Sequence, residues 1–311
     1  NNIVLTIQNY MSNYVLIIAL LGAGLWFSFR LGFIQVRGFG EGMKRTFGGL
    51  FSKKGEAGAD GMSSFQALAT AIAAQVGTGN IAGAATALAI GGAGAIFWMW
   101  IAAFLGMATI YAEAIMAQKY KTVGADGQVT GGPVYYIRAA FKGTFGKVLA
   151  GIFAILITLA LGFMGNAVQS NSIAASFHTA FGIPQWIMGL VVAVIAIFVF
   201  MGGMKRIAKV TETIVPFMAA LYIIGSLIVI IYNYKNIPYA FASIFIGAFS
   251  PSSVVGGAAG ATVKLALTKG VARGLFSNEA GMGSTPHAHA VAKVDHPVEQ
   301  GFVAMTGVFI D

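Results

Sequence analysis

Long apolar segments, separated by polar connections, dominate the amino-acid sequence. A helix that spans a membrane needs about 20 largely apolar residues. Segments of that kind occur at 10–31, 62–90, 91–118, 148–177, 184–202, 210–232 and 261–285, and another begins near 299. They are continuous and rich in Ala, Gly and Leu, whereas spanning strands would alternate apolar and polar positions. The pattern predicts an all-α polytopic membrane protein with a single transmembrane domain over 1–311.

The composition supports the same class of protein. Apolar residues make up 57% of the chain and charged residues only 9%, against about 25% in soluble domains. So few charges cannot cover the surface of a soluble protein of this length, and most of the surface is expected to face lipid. Cysteine is absent from the 311 residues, which excludes a disulfide framework and thiolate metal sites within them.

Basic residues are concentrated in alternate connections. Fifteen of the nineteen Lys and Arg residues lie in 30–61, 119–147, 203–209 and 286–298. Because cytoplasmic connections are enriched in Lys and Arg, the pattern assigns these four to the inside of a cell membrane and the N-terminus to the outside. The chain ends at Asp311 within an apolar segment, which leads us to expect a fragment that lacks its C-terminal helices.

Three basic residues depart from this pattern, because Lys264, Lys269 and Arg273 lie within the segment 261–285. One interpretation is an amphipathic stretch at the outer membrane interface. The other places Arg273 in an aqueous vestibule, as part of a gate. The sequence leaves both interpretations open.

The segment 62–90 contains a polar interruption, Gly77-Thr78-Gly79-Asn80. Its glycines weaken a helix, and unsatisfied backbone groups are costly in hydrocarbon. Such a break is tolerated where it lines a polar cavity, in which N–H groups bind an anion and carbonyl groups bind a cation. Alternatively, Gly79 and Gly83 form a GxxxG helix-packing seam. A dinucleotide-binding motif is excluded, because the spacing is GxGxxxG and no strand precedes it.

A second interruption, from Arg273 to Ser284, contains Ser277-Asn278-Glu279 beside three glycines. A carboxylate at membrane depth is by default a candidate functional group. The alternative is that Glu279 pairs with a basic residue or caps the broken backbone. Under the assigned topology, this segment crosses the membrane in the direction opposite to 62–90. Two interrupted helices in inverted orientation indicate the binding site of a secondary transporter.

Other polar residues carry less specific signals. Asn166 and Gln169 are three residues apart and share a helix face, where they would contact either a substrate or a neighbouring helix. Glu113 is expected to form an ion pair with Lys119 or Lys121 near the inner end of its helix. These residues do not separate a functional role from a structural one.

Neither a metal centre nor an enzyme is predicted. His287, His289 and His296 lie in a short connection without thiol partners, which does not indicate preorganised metal ligands. The sequence contains no HExxH motif, nucleophile elbow or Walker loop. Catalysis therefore has no set of residues that would support it.

Several blocks of sequence together point to a known family. The most specific is the sixteen-residue run GGAGAIFWMWIAAFLG from Gly91 to Gly106. The other blocks are Gly77–Gly83, Phe276–Ser284, Gly131-Gly132-Pro133 and Gly202-Gly203-Met204-Lys205. In these blocks, and from the first apolar segment to Asp311, the sequence resembles the sodium:alanine (alanine/glycine:cation) symporter family.

The resemblance implies the inverted-repeat fold of the leucine transporter, which has two repeats of five helices. One extra helix at 10–31 would precede the first repeat, 62–232, and 261–311 would begin the second. The resemblance also implies Na⁺-coupled symport of a small neutral amino acid, alanine or glycine. The eighth repeat helix, which completes the sodium site in that fold, would lie beyond Asp311.

The resemblance further implies roles for individual residues. The N–H groups of Thr78 and Gly79 would bind the substrate carboxylate, and the carbonyl groups of Ala73 and Val76, with Asn80, would bind Na⁺. The other residues expected to line the substrate pocket are Gly77, Phe163, Asn166, Gln169, Phe276, Asn278 and Gly281.

We therefore expect a Na⁺-coupled transporter of alanine or glycine that works by alternating access and functions as a monomer, without an organic cofactor. Arg273 and Glu279 are candidates for a gate or a coupling group. The alternative is an H⁺-coupled or exchange-type amino-acid transporter in which Glu279 carries the proton.

Overall fold

The computed structural model describes residues 2–48, 62–124, 127–249 and 263–311. The helices up to the first interruption are α1 (Asn2–Tyr10), α2 (Leu16–Arg30), α3 (Ile34–Arg37), α4 (Phe39–Gly48) and α5 (Ser64–Gln75). They are followed by α6 (Ala84–Gly91), α7 (Gly94–Lys119), α8 (Pro133–Ala140), α9 (Gly143–Ile157), α10 (Asn166–Phe181), α11 (Gln185–Phe200) and α12 (Gly203–Tyr232). The last helices are α13 (Ile237–Phe249), α14 (Val263–Asn278), α15 (Pro286–Val291) and α16 (Pro297–Ile310).

Within the described residues, each predicted apolar segment consists mainly of helix. Among the described residues, three uninterrupted stretches are long and apolar enough to span a membrane: Gly94–Lys119, Gly143–Phe181 and Gly203–Tyr232. The second of these is continuous because a π-helical segment, Thr158–Gly165, joins α9 to α10. A second π-helical turn, Met11–Val15, joins α1 to α2. The prediction of an all-α membrane protein is therefore confirmed.

Local sequence explains where several helices begin and end. α5 begins with a capping box, in which Ser63 Oγ accepts the Gln66 N–H and the Gln66 side chain accepts the Ser63 N–H, each at 3.1 Å. α10 ends at Gly182, which has a φ of 70° that glycine adopts without strain. Pro184 then precedes α11 and fixes the direction of the chain.

One connection contains structure that the apolar pattern does not predict. Within 119–147, β1 (Thr122–Val123) pairs antiparallel with β2 (Val129–Thr130) in a short hairpin. The β-branched Thr and Val residues favour extended backbone, and the Gly124 N–H closes the turn onto Gln128 O at 2.8 Å. The hairpin lies outside the apolar segments, so it does not change the class of fold.

Parts of the predicted segments lie outside the described residues. They are 49–61 of the first basic connection, with Lys53 and Lys54, residues 250–260, and residues 261–262 at the expected start of the second repeat. The side chain of Lys264 also lies outside the described part of the chain.

α7 is the central helix of the packed core. The largest buried cluster joins it to α16 and to the second interruption, and consists of Met107, Ile110, Tyr111, Ala114, Ala280, Ala304, Met305 and Val308. On another face of α7, small residues allow α14 to approach closely. A Cβ atom at Gly270 would lie only 2.3 Å from the carbonyl oxygen of Ala95, and one at Gly274 would lie 3.0 Å from that of Met99. Glycines of α14 therefore let this helix pack against α7 at short range.

This close approach predicts a specific loss of stability. Gly270→Val would force α14 away from α7, and we expect a decrease of about 1–3 kcal/mol in the free energy of unfolding. Gly225→Val in α12 is the matched control, because a Cβ atom there has no neighbour within 4 Å. Thermal unfolding in detergent measures both variants. Equal melting temperatures for the two would contradict the packing described here.

Candidate functional site

The first interruption breaks the helix between α5 and α6. α5 ends at Gln75, Val76 is extended (φ −82°, ψ 104°), and a π-helical turn occupies Gly79–Gly83. The side chain of Asn80 satisfies part of the exposed backbone, because its Oδ1 accepts the Gly77 N–H at 2.9 Å. The sequence therefore predicted the position of this break correctly.

The geometry does not support the GxxxG packing alternative. A Cβ atom at Gly79 would lie 3.5 Å from the Phe276 ring, and one at Gly83 would lie 3.6 Å from Arg273 Cδ. Both are ordinary van der Waals distances, so no close approach of helices requires glycine at these positions.

Gln169 of α10 reaches the break and binds its backbone. Its Oε1 accepts the Thr78 N–H at 3.1 Å, and its Nε2 lies where a Cβ atom at Gly77 would be, only 2.3 Å from that position. Gly77 is therefore needed so that the Gln169 amide can lie against the backbone. Of the two contacts that the sequence left open for Gln169, the structure contains the one with a neighbouring helix.

The second interruption is a longer unwound segment between α14 and α15. Its backbone takes left-handed conformations at Glu279 (φ 54°), Gly281 (φ 87°) and Gly283 (φ 77°), which glycine tolerates best. Ser284 Oγ donates a hydrogen bond to the Glu279 carboxylate. This bond joins two side chains of the segment, and among the described residues Glu279 forms no ion pair. Capping of the broken backbone by Glu279 stays a prediction.

The two interruptions meet. Gln75 Nε2, at the end of α5, donates to the carbonyl oxygen of Asn278, at the end of α14, at 2.9 Å. Asn80 Nδ2 donates to Ser277 Oγ at 2.7 Å. The end of α5 and the start of the second half of the first broken helix are therefore both connected to the last turn of α14.

Asp311, directly after α16, completes this junction. Its carboxylate accepts hydrogen bonds from Asn80 Nδ2 and, at 3.0 Å, from Ser277 Oγ. We call Asn80, Ser277 and Asp311 the junction cluster. The sequence analysis did not include Ser277 or Asp311 among the site residues. A signal for Asp311 was present, since a carboxylate next to a strongly apolar helix is a candidate functional group.

The residues of the fourth apolar segment are only partly brought to the site. Asn166 Nδ2 donates to Gly162 O of its own helix at 3.0 Å, and Phe163 is 67% exposed. Phe163 lies in the π-helical segment, whose wider turns shift the helix face that regular spacing would predict. Gln169 alone of these three hydrogen-bonds to the break, and the pocket roles of Phe163 and Asn166 stay predictions.

The side chains expected from the second interruption also have other partners. Asn278 is buried, and its Oδ1 accepts the Ala280 N–H at 3.0 Å within its own turn. The Gly281 N–H is directed to α7, where Glu113 accepts it at 2.9 Å. The Phe276 ring, 57% exposed, lies beside Gly79. Of these three residues, Phe276 is the one whose side chain faces the first break.

Two predicted cation ligands are backbone carbonyl groups at the end of α5. The Gly77 N–H donates to Asn80 Oδ1 and not to the carbonyl oxygen of Ala73, its partner in a continuous helix. The Asn80 N–H likewise donates to Gly77 O, at 3.2 Å, and not to Val76 O. The break therefore releases both carbonyl oxygens from these helical bonds.

Arg273 lies in α14 on the side of the break that the topology assigns to the outside. Its side chain is exposed, and its aliphatic part lies near Gly83 of the first broken helix. Its role in a gate stays a prediction.

The expected ion pair of Glu113 is wrong. Lys121 Nζ donates to Gln118 Oε1 at 2.7 Å, and Lys119 Nζ lies 5.6 Å from the centre of the Tyr120 ring. Among the described residues, the ion pairs are those that Arg45 forms with Glu41 and Glu299. Glu113 is directed instead to the unwound backbone, where amide groups need acceptors.

The apolar helices define the class of protein, which is a polytopic α-helical membrane protein, and a junction of two broken helices is of the kind found in secondary transporters. A family model places it more closely, because the sodium:alanine symporter family matches residues 1–311. The chain belongs to the sodium:alanine symporter family, which consists of transporters and not of enzymes.

Individual relatives agree with this assignment. The chain is 44% identical over 312 residues to the sodium/alanine symporter AgcS of Methanococcus maripaludis, and the match covers 100% of this chain and 67% of that protein. It is 47% identical over 292 residues to a putative sodium/proton-dependent alanine carrier protein, YrbD, of Bacillus subtilis (94% and 57% covered). It is 44% identical over 297 residues to a probable sodium/glutamine symporter, GlnT, of the same bacterium (96% and 60% covered). The chain thus spans about two thirds or less of the length of these relatives.

The contact between Gly77 and Gln169 predicts different effects for two similar substitutions. Gly77→Ala would push the Gln169 amide away from the Thr78 N–H, and we expect a loss of about 1 kcal/mol in stability, the net value of one hydrogen bond. Gly79→Ala has room for its Cβ atom and improves helix propensity, so we expect no loss. Thermal unfolding of both variants in detergent is the measurement. A larger loss in Gly79→Ala would refute the assigned contact.

Proposed function

We propose that the complete protein is a secondary active transporter that couples Na⁺ entry to the uptake of a small neutral amino acid, alanine or glycine, by alternating access. The observation that carries this proposal is the junction cluster, Asn80–Ser277–Asp311, which joins two broken helices through a carboxylate at membrane depth. Family membership and the sodium-coupled alanine transporters among the relatives support it.

The donor atoms of the junction cluster suit Na⁺. A carboxylate, a hydroxyl group and a side-chain amide are hard oxygen donors of the type that alkali and alkaline-earth cations prefer. Asn80 Nδ2 and Ser277 Oγ both direct hydrogens at Asp311. A cation bound there would take their place as the partner of the carboxylate and would turn the Ser277 oxygen and the Asn80 oxygen towards itself. The carbonyl groups of Ala73 and Val76 are the proposed backbone ligands of the coupling ion.

The backbone amides of the first break suit a carboxylate. Thr78 and Gly79 stand at the start of the second half-helix, where the first N–H groups have no partner within the helix. A substrate carboxylate at Thr78 would replace Gln169 Oε1. Since charge-assisted hydrogen bonds are about twice as strong as neutral ones, the exchange favours a carboxylate over a neutral group. Gln169, once released, would donate its Nε2 hydrogens to the same carboxylate.

The rest of the pocket and the identity of the amino acid are also part of this proposal. Gly77 and Gly79 leave space for a substrate to approach the backbone, and Phe163, Asn166, Phe276, Asn278 and Gly281 are the proposed lining. Because one relative is described as a probable glutamine symporter, competition of alanine uptake by glycine and by glutamine is the test of substrate size.

The proposed arrangement is an inverted repeat in a cell membrane. The first repeat would be 62–232 and the second would begin at 261–311, with the helix at 10–31 in front and the N-terminus outside. Each proposed repeat contains one of the two interruptions, as expected for such a symmetry. The functional unit is proposed to be a monomer.

A second candidate is H⁺ coupling or exchange with Glu279 as the proton carrier. It is favoured by the burial of Glu279, which is 8% exposed, and by its hydrogen bond from Ser284 at the second break. A relative described as sodium/proton-dependent belongs to the same family.

Uptake of radiolabelled alanine by proteoliposomes with the complete protein separates these candidates. We expect uptake to require an inward Na⁺ gradient and to persist after the pH gradient is abolished. Uptake that continues without Na⁺ but disappears with the pH gradient would replace the Na⁺ proposal by the Glu279 alternative.

The role of Asp311 leads to a further prediction. Asp311→Asn keeps the size of the side chain but removes the charge opposite the proposed cation. The lost charge-assisted interaction is worth about 1.5–3 kcal/mol, so we expect the KM for Na⁺ to rise at least about tenfold. Asp295→Asn, an exposed acid of the inner connection, is the matched control and should leave the KM unchanged. An unaltered KM in Asp311→Asn would remove Asp311 from the cation site.

A further inference from the structure

Glu113 anchors the unwound backbone of the second interruption to the central helix. Its Oε2 accepts the Gly281 N–H at 2.9 Å. Glu113 lies in α7, and among the described residues no Lys or Arg forms an ion pair with it. Its partner is therefore a backbone amide of the unwound segment.

The conformation of the segment explains why a carboxylate is needed. The left-handed φ angles at Gly281 and Gly283 turn alternate amides out of the helical direction, so the N–H groups cannot bond to carbonyl groups one turn earlier. The Gly281 amide needs an acceptor outside its own segment, and Glu113 supplies one from α7.

Glu113 contacts the middle of the unwound segment, between two other side chains that hold its ends. Before it, the carbonyl oxygen of Asn278 is held by Gln75 Nε2 at 2.9 Å. After it, Gln118 Nε2 donates to the carbonyl oxygens of His289 and Ala292 at 2.5 and 2.8 Å. Both of these anchors are neutral amides outside the turn 279–285. Glu113 is the anchor that reaches this turn from α7.

We propose that Glu113 is a positioning residue that holds the second interruption in place, so that the last turn of α14 presents Ser277 to Asn80 and Asp311. Gly281 is four residues beyond Ser277, and Asn278 between them packs its side chain against Gly106 of the same helix as Glu113. Release of the Gly281 amide would free the turn and misalign Ser277. The role in ligand binding rests on the function proposed above, whereas the anchoring itself does not.

The anchoring is tested by the accessibility of the turn. Met282 directly follows the anchored Gly281, and the 311 residues contain no cysteine, so Met282→Cys introduces a single reporter. The complete protein is used, with any cysteine beyond these residues replaced by serine. Reaction with a maleimide is measured in three backgrounds: Glu113, Glu113→Gln and Glu113→Leu. We expect labelling to become at least about tenfold faster in Glu113→Leu, the factor that corresponds to 1.4 kcal/mol. Glu113→Gln retains one acceptor oxygen and should give an intermediate rate.

A second reporter separates release of the turn from a general loss of structure. Ala304→Cys lies in the buried core of α16, at 1% exposure, and should stay unreactive in all three backgrounds. Faster labelling of both reporters would mean that Glu113 supports the whole fold, and an unchanged rate at Met282→Cys would mean that it does not hold the turn. Either result overturns the proposal.

The effect of the Glu113 substitutions on the KM for Na⁺ is measured separately. If Glu113 acts through Ser277, Glu113→Leu raises the KM for Na⁺ and Glu113→Gln restores part of the affinity. Faster labelling of Met282→Cys with an unchanged KM would keep the anchor but overturn its positioning role. Absence of any Na⁺ dependence in the protein with Glu113 intact would contradict the proposed function and leave the labelling result valid.

Discussion

Every backbone amide and carbonyl group within a membrane must find a partner, because hydrocarbon offers none. A continuous helix meets this condition without help, and a broken helix does not. At both interruptions of this protein, side chains supply missing partners: Asn80 of the broken segment itself and Gln169 of α10 at the first, and Glu113 of α7 at the second. The breaks therefore exist only together with the tertiary structure around them.

The same condition explains the three carboxylates near the breaks. Glu113 accepts a hydrogen bond from a backbone amide, Glu279 accepts one from Ser284 within its own turn, and Asp311 accepts from two side chains of different helices. The partners of Glu113 and Glu279 belong to the unwound segment, so these two groups stabilise its conformation. The partners of Asp311 are a hydroxyl group and an amide that can each turn an oxygen towards a cation. This difference is why Asp311 is the one we assign to the coupling ion.

The helices and both breaks could be predicted from the sequence, because hydrophobic length and Gly-rich polar interruptions are local signals. The partners could not. Asn166 and Gln169 look equivalent in sequence, yet the π-helical segment before them turns Gln169 to the break while Asn166 bonds to its own helix. Glu113 looked like half of an ion pair, because the sequence shows nearby lysines and does not show that Gly281 lies across from it. Such contacts between distant residues follow from helix packing, which spacing along the chain does not specify.

Some glycines of this protein allow helices to pack closely, and others make room for a side chain at the first break. Glycines at the crossing of α7 and α14 allow backbones to touch and leave no room for a side chain, as at Gly270. Gly77 instead admits the end of a flexible side chain, which can move away. A close contact of two backbones is rigid, whereas a contact between a backbone and the amide of Gln169 can be exchanged for a ligand. The rigid contacts hold α14 against α7, and the exchangeable one lies where the first helix is broken, so a ligand can enter the site without disturbing the core.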